Sequence, residues 1–586
     1  MTDTLTVSAV TDIDVIADVW IAEFAKAVSA NDIDSIVSLF AAESWWRDAV
    51  SLSWDIRTMH GEESMRTFLG ANLAAAELSG FRLWSGAEPT YTDTGNGGGY
   101  VQAFIEFRTR VGWGIAVVRL VSDVENNWVA WTLMTSLQEL DGHELAAGSN
   151  RPVGERVPTT TWADHRRKVL EFADADPEVM ILGAGQSGMA AAAYLGLMGI
   201  KALVIERNAS VGDNWRNRYA SLVLHDPIWA DSLPFMQFPE TWPVYTPRDK
   251  VADWFEIYEK ALDLNIWTST ELVSSSYSDD EGLWTVEVRR NDGTTRTLRP
   301  KQFIFAVGLL TEPNMPELEG LKDFQGEVRH TSGHPGGKGW EGKKALVVGV
   351  CNSGQDVAKD LHDHGADVTM LQRSPTYVIT QEKGLPIVYG GLYDATGPET
   401  RVADLMNLAT PFSVTIKSAG QMATRIAELD RELLDGLTAA GFRLDDGVET
   451  GGMVGLGLLK GGGFLLDVGS CDLIVDGRIK IEPGEIRRLT ENGAELSNGT
   501  FVEADVIVFA TGYKNMRESA RRILGDSVAD RCKPVWGLDE EGELNTMWRP
   551  SGHPGFWFTG GSFAHTRIYT RFLALQIAAQ LRGIAN

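Results

Sequence analysis

Gly183-Ala184-Gly185-Gln186-Ser187-Gly188 has the residue types and spacing to grip a pyrophosphate, and the same form returns downstream as Gly349-Val350-Cys351-Asn352-Ser353-Gly354. In such a loop the outer glycines allow a tight turn and close packing of the next helix. The middle glycine lets backbone amides approach the phosphates at the helix N-terminus. Each run follows a short apolar stretch, Val179-Met180-Ile181-Leu182 or Ala345-Leu346-Val347-Val348, and opens a stretch of helical character. Strand, glycine loop and helix in that order predict a dinucleotide site, so the chain is expected to hold two nucleotides. Cys351 stands where the second loop expects its middle glycine, which predicts a looser grip there.

The end of the following strand tells the two loops apart. Ala202-Leu203-Val204-Ile205 runs into Glu206-Arg207. A carboxylate there accepts hydrogen bonds from ribose hydroxyls and repels a 2′-phosphate. Val368-Thr369-Met370-Leu371-Gln372 runs into Arg373-Ser374. A guanidinium at that point offers a planar fork of donors to a 2′-phosphate. The expectation is FAD on the first loop and NADPH on the second.

These loops need elements to carry them, and 586 residues exceed what one core can organise, so several domains are expected. A net charge of −27 opposes nucleic acid and anionic membranes as partners, because the field of the whole protein repels polyphosphates. Anionic cofactors must then be captured locally, by helix N-termini and a few arginines. The three cysteines, Cys351, Cys471 and Cys532, lie far apart in sequence, as in a reducing compartment. The N-terminus lacks the basic then apolar order of a signal peptide, and no apolar run reaches the length of a membrane span. A cytoplasmic protein without a membrane partner is expected.

Residues 1–150 read as a separate α+β unit. Helical periodicity over 18–30 and 33–41, and a helix near 62–76, precede alternating segments at 100–110, 113–121 and 127–137 that suggest a curved antiparallel sheet. Residues 151–170 read as a linker. The first nucleotide domain is expected over 171–339 and 509–586, with the second inserted at 340–508. The segment 504–509 is taken as the strand that returns the chain to the first domain. Within the insertion, 402–442 is helical in pattern. The glycine-dense 451–463 reads either as linker or as a close backbone approach. The fold class is thus α/β, two Rossmann-like domains with the second inserted in the first, plus an N-terminal α+β domain.

From about residue 178 onward the chain resembles the flavin-containing monooxygenases, within the class B flavoprotein monooxygenases related to Baeyer-Villiger enzymes. Beside the two loops, the signature FxGxxxHxxx is present as Phe324, Gly326 and His330. Ala306-Val307-Gly308 with Pro313 and Pro316 precedes it, and Ala510-Thr511-Gly512-Tyr513 matches the later ATGY segment. The signature usually ends on Tyr or Phe, where this chain has His334. Many members carry Asn beside the flavin, where Ser221-Leu222-Val223-Leu224-His225 offers His225. With the added N-terminal domain, these departures are similar to the type II branch, whose members oxygenate ketones and sulfides and tolerate NADH beside NADPH. The N-terminal unit, from Phe40 to Asp48 and Thr58-Met59-His60-Gly61, resembles the cone of nuclear transport factor 2 and polyketide cyclases. Its Trp45, Trp46, Trp54 and Trp84 are expected to fill the cone or meet a neighbour, in a docking or oligomerisation role.

The resemblance implies a reaction course. FAD takes hydride from the nicotinamide, then reacts with O2 to a C4a-peroxyflavin that oxygenates a small organic substrate, ketone to ester or lactone or sulfide to sulfoxide. It implies His225 and His334 as catalytic residues. His225 either donates to the peroxide and sets its proton or packs against the isoalloxazine. It places Asn214, Trp215, Arg216 and Asp226 around the flavin, Gly512 at the later segment, and Arg567 toward the pyrimidine edge, in a turn before a helix expected from about Thr570. His330 and His334 are spaced like metal ligands on a helix. Gly333, Pro335, Gly336 and Gly337 break any helix there, so a linker without metal is expected.

A disulfide reductase shares the paired folds but needs two thiols in reach, and no CxxC occurs. An NAD(P)H oxidase releasing hydrogen peroxide and a non-catalytic flavoprotein assembled through the N-terminal domain stay open as alternatives. A homodimer or higher homo-oligomer is expected.

Overall fold

The computed structural model describes residues 13–95, 98–154 and 159–585. In the N-terminal unit, helix α1 (Ile13–Ser29) lays Ala17, Trp20, Ile21, Phe24, Ala27 and Val28 on a curved sheet. Strand β1 (Phe40–Ala49) pairs in parallel with β2 (Trp128–Leu140), while the remaining neighbours, out to Ser79–Leu83 and Ile56–His60, pair antiparallel. The helix expected over 33–41 stops at Ser38, because Phe40 begins β1 and Trp46 on the same strand fills the interior. Trp46 stacks on Phe40 at 5.8 Å and donates to Thr135 Oγ1 at 3.0 Å.

The first nucleotide sheet runs Ile266–Trp267, β4 (Ala202–Ile205), β3 (Val179–Leu182), β5 (Gln302–Phe305) and Phe556–Phe558, all parallel. Parallel strands covered on both faces read as continuous apolar runs, and these do. Helix α2 (Gln186–Leu197) follows β3. Its Ala190-Ala191-Ala192-Ala193 run is buried throughout, since small side chains let the helix lie close to its neighbours.

The second sheet runs β6 (Glu327–His330), β9 (Val506–Phe509), β7 (Lys344–Val348), β8 (Asp367–Gln372) and Lys480–Pro483, again all parallel, with helix α3 (Asn352–Asp363) after β7. Two segments differ from expectation. Residues 327–330 are expected in the first domain and 504–509 at the return into it, yet β9 lies between β6 and β7 in the second sheet. A strand alone does not name its sheet, because any apolar parallel strand satisfies the backbone of either. The passages between the two sheets lie instead near Pro313 and Tyr513, which form an antiparallel bridge.

The insertion carries a small parallel sheet (Thr376–Thr380 with Leu444–Asp445 and Phe464–Asp467) and helices α4 (Thr400–Leu408), α5 (Phe412–Leu429), Arg431–Ala439 and α6 (Gly452–Lys460). The glycine-dense 451–463 is therefore mostly helix rather than linker. Its close approach is to its own turn and to α5. A Cβ on Gly455 would stand 2.1 Å from Thr450 O and 3.3 Å from the Ile416 side chain. Helix α7 (Phe563–Leu581) closes the chain and packs against α2.

Candidate cofactor and active site

The two glycine loops are built alike. Gly183 (φ +106°) and Gly349 (φ +114°) adopt left-handed backbone, and a Cβ there would lie 2.7 Å from Ala306 O and 2.5 Å from Ala510 O respectively. A Cβ on Gly188 would meet Gly183 O at 2.0 Å, and one on Gly354 would meet Gly349 O at 2.3 Å. Ala306 after β5 and Ala510 after β9 thus form matching floors, and each outer glycine is required by backbone in contact. The middle position differs. Gly185 (φ −77°, ψ −179°) has only Asn214 Nδ2 within 4 Å of a would-be Cβ, at 3.6 Å. Cys351 adopts φ −79°, ψ −179°. The expected loosening at Cys351 therefore has no backbone origin, because this is an extended conformation open to any residue. Burial pushes the Cys351 thiol up.

Glu206, 8% exposed, braces the first loop: Ala184 N donates to Oε2 at 2.9 Å and Asn208 N to Oε1 at 2.8 Å. Each oxygen keeps a lone pair for a ribose hydroxyl. Arg207 is exposed beside it. Gln186 donates to Gly561 O at 3.0 Å and Ser187 bonds Thr566 Oγ1 at 2.9 Å, so the first loop is seated on the start of α7. In the second loop Asn352 accepts from Leu466 N at 2.8 Å, tying it to the insertion, and Ser353 is partly exposed. Arg373 is 76% exposed and 3.9 Å from Glu485, with Ser374 exposed next to it. An uncommitted guanidinium at a strand end fits a 2′-phosphate.

Two arginines expected at the flavin are bonded to carboxylates of the protein. Helix α7 starts at Phe563, capped by Ser562, which accepts from His565 N, so Arg567 lies inside the helix rather than in a preceding turn. Its guanidinium donates to both oxygens of Asp404 at 2.7 Å and to Ala230 O at 2.7 Å. Arg216 likewise spends its donors on Asp213, Asp253 and Glu256 at 2.6–3.2 Å. Apart from Asp213, three residues before Arg216, these carboxylates are distant along the chain, so neither partner set was visible in full from the sequence. Asn214 lies over Gly185, as noted. Trp215 stacks on Phe563 at 5.9 Å, and its buried indole N–H has no protein acceptor among the described residues. Such an orphaned donor beside the first loop fits a bound cofactor that supplies the acceptor.

The passages between sheets are cross-tied. Asn314 N donates to Gly512 O at 3.0 Å, Lys514 N to Glu312 O at 2.9 Å, and Thr511 Oγ1 to Asn314 O at 2.6 Å. His330 Nδ1 accepts from Ser332 N at 3.1 Å, leaving Nε2–H to donate to Gly512 O at 3.0 Å. Burial draws the His330 pKa down, which favours this neutral form.

His225 is 23% exposed, and its Nε2 lies 4.0 Å from Asp356 Oδ2 on α3, just beyond the second glycine loop. Tyr219 donates to the same Asp356 oxygen, and Gln381 Nε2 donates to His225 O at 3.3 Å. Asp226 accepts from Tyr389 OH at 2.8 Å; burial raises its pKa. Burial likewise raises that of Asp356. Sequence reading missed Asp356, Tyr219 and Tyr389, since nothing along the chain marks them as partners of the 221–226 loop. His334 differs from His225. Its side chain is 1% exposed and bonded to Asp360 Oδ2 at 2.7 Å. The enclosed ring ties its linker to α3, and its buried Nδ1 has no protein partner among the described residues.

The family described as pyridine nucleotide-disulphide oxidoreductase matches residues 180–383. All three cysteines are free, so the shared feature is the nucleotide fold rather than a dithiol. Indole-3-pyruvate monooxygenase YUCCA1 of Oryza sativa subsp. japonica is 32% identical over 384 residues, spanning 64% of this chain and 83% of that protein. Probable indole-3-pyruvate monooxygenase YUCCA3 of Arabidopsis thaliana is 30% identical over 344 residues, 57% and 73% of the two chains. A crystal structure of cyclohexanone monooxygenase in its loose conformation, bound to epsilon-caprolactone, matches in fold with a TM-score of 0.50 at 20% identity, over 70% of this chain and 88% of that one. With two matched nucleotide loops and a relative of this identity spanned over most of its length, the chain belongs to the flavin monooxygenase family.

Proposed function

We propose that the chain is an FAD-dependent monooxygenase that takes hydride from NADPH, with NADH tolerated, and uses O2 to oxygenate a small organic substrate, ketone to ester or lactone or sulfide to sulfoxide. One observation carries the reading: the loop bearing His225 reaches the helix of the second nucleotide loop at Asp356, so the flavin-side and nicotinamide-side machinery meet at one place. FAD, when bound, supplies hydride acceptance and oxygen activation. Gly183, Gly185, Gly188 and Glu206 would hold it, with Trp215 donating an indole N–H. Gly349, Gly354, Arg373 and Ser374 would hold NADPH.

The protein's own part is positional and protonic. The bonded passages at Gly512 and Asn314 keep the two sheets in register. A closure of about 1 Å would bring His225 and Asp356 into hydrogen-bond range and orient the imidazole. The relatives named for indole-3-pyruvate, a 2-oxo acid, support a carbonyl among the substrates. A reducing, cytoplasmic setting is supported by the free thiols. The test is anaerobic reduction by NADPH or NADH, then oxygen, with cyclic ketones and thioethers offered as substrates. Oxygenated product in proportion to NADPH consumed is expected. Peroxide alone across the panel would establish an oxidase instead, and protein unable to take up flavin would end the proposal.

A further inference from the structure

Helix α4 ends where it meets the N-terminal sheet. The last carbonyls of a helix lack partners within it, and the helix C-terminus carries partial negative charge. Two arginines of the N-terminal unit meet that need. Arg119 donates to Met406 O at 2.9 Å and to Thr410 Oγ1 at 2.7 Å, and Arg47 donates to Leu408 O at 2.9 Å. Arg119 is buried, and among the described residues no carboxylate lies in ion-pair distance of it. Its other partner is Gln102 Oε1 at 3.0 Å, and the Tyr100 ring lies 5.7 Å away. The charge of Arg119 is therefore placed to answer the helix end. Toward the other end of α4, Arg401 lies over the Trp84 ring at 5.0 Å.

From α4 the connection continues into the site. Asp404, in the middle of the helix, takes the two-pronged bond from Arg567 and accepts from Tyr393 OH at 2.8 Å. Arg567 in turn donates to Ala230 O at 2.7 Å and Ser232 O at 3.2 Å, backbone four and six residues beyond Asp226. Each step is a buried or half-buried bond between groups distant in sequence.

Resting on the monooxygenase reading above, we propose that the N-terminal unit is a brace for the oxygenation site. Arg119 and Arg47 cap α4, and through Asp404 and Arg567 they hold the 225–232 loop in place against α3. Arg119 is then a positioning residue for the reaction, although it touches no reacting group.

The test uses the full chain and Arg119→Gln, with Arg119→Lys as the conservative partner. Trp84→Leu is a milder second probe should Arg119→Gln fold poorly. Hydrogen exchange without nucleotide should show amides of 400–410 and of 225–232 exchanging at least about tenfold faster in Arg119→Gln, with β3 and β7 unchanged. In turnover, the share of NADPH ending as peroxide should rise severalfold while the rate of flavin reduction holds, and Arg119→Lys should recover part of both effects. Loosening confined to 400–410, or unchanged peroxide release, would reduce Arg119 to an ordinary helix cap and overturn the proposal. Protein without flavin that still shows both exchange changes would support the brace while defeating the monooxygenase reading.

Discussion

Cys351 and Gly185 share one backbone conformation, whereas Gly354 and Gly188 are hemmed in by backbone, and this difference decides what substitution does at each. Cys351→Gly should leave NADPH binding within about threefold, under about 1 kcal/mol, as measured by titration. Gly354→Ala drives a methyl group against Gly349 O and the Ala510 side chain, 3.2 Å from its Cβ. Overpacking of that kind costs about 1–3 kcal/mol, so the KM for NADPH should rise about tenfold or more with flavin content retained. Equal effects of the two substitutions would refute this account of the loop. The glycines were legible because their spacing encodes a local turn. Arg567 and Arg216 were not, because a guanidinium goes to whichever carboxylate the fold brings near, and Asp404 and Glu256 are brought near only by tertiary structure.

Among elements, strand–loop–helix units and the alternating strands of the N-terminal unit could be read in the sequence, since both follow from local periodicity. Their sheet membership could not, as the placement of β9 between β6 and β7 shows. Helix α7 illustrates a missed cap: Ser562 accepts from His565 N, yet Gly560-Gly561 before it and first turns that mix polar and apolar residues without an amphipathic stripe hide the start. His565 in that first turn is partly buried against Trp548 and Tyr569, and its pKa is drawn down to about 4 by desolvation, with the Arg47 charge adding to the effect. A histidine pKa lower in the folded than in the unfolded chain, about 6.5, means that the unfolded chain binds more protons between those values. The stability due to this group is complete above about pH 6.5 and is lost as pH falls toward 4. The loss between pH 7 and pH 5 is about 2 kcal/mol, and His330, shifted the same way, adds to it. Replacing His565 by Phe should shrink the acid-induced drop in urea resistance by about that amount. A drop of unchanged size would show that the ring is not held neutral.

At the scale of the whole molecule, the N-terminal unit is joined to the C-terminal part by buried charge as well as by apolar contact. Arg47 on β1 is fully enclosed. It pairs with both oxygens of Glu543 at 2.6 and 2.7 Å, donates to Tyr569 OH at 2.9 Å and lies 4.6 Å from the Phe412 ring. Thr58 also donates to Glu543 at 2.6 Å, and Arg549 pairs with Asp55 at 2.7 Å nearby. Removing two charges from water is expensive, and their attraction offsets that cost only when both are present. Arg47→Met should therefore destabilise by about 3–5 kcal/mol, since Glu543 is left buried without its partner. Arg47→Met combined with Glu543→Met should recover most of that loss, because an apolar pair of similar volume is often neutral. Melting curves of the two single variants and the double variant, each with matched flavin content, measure the coupling. Additive losses would mean that the arginine and the glutamate do not depend on each other, and the union of the N-terminal unit with the C-terminal part would then rest on its other contacts, among them Arg549–Asp55 and Arg571–Gln138.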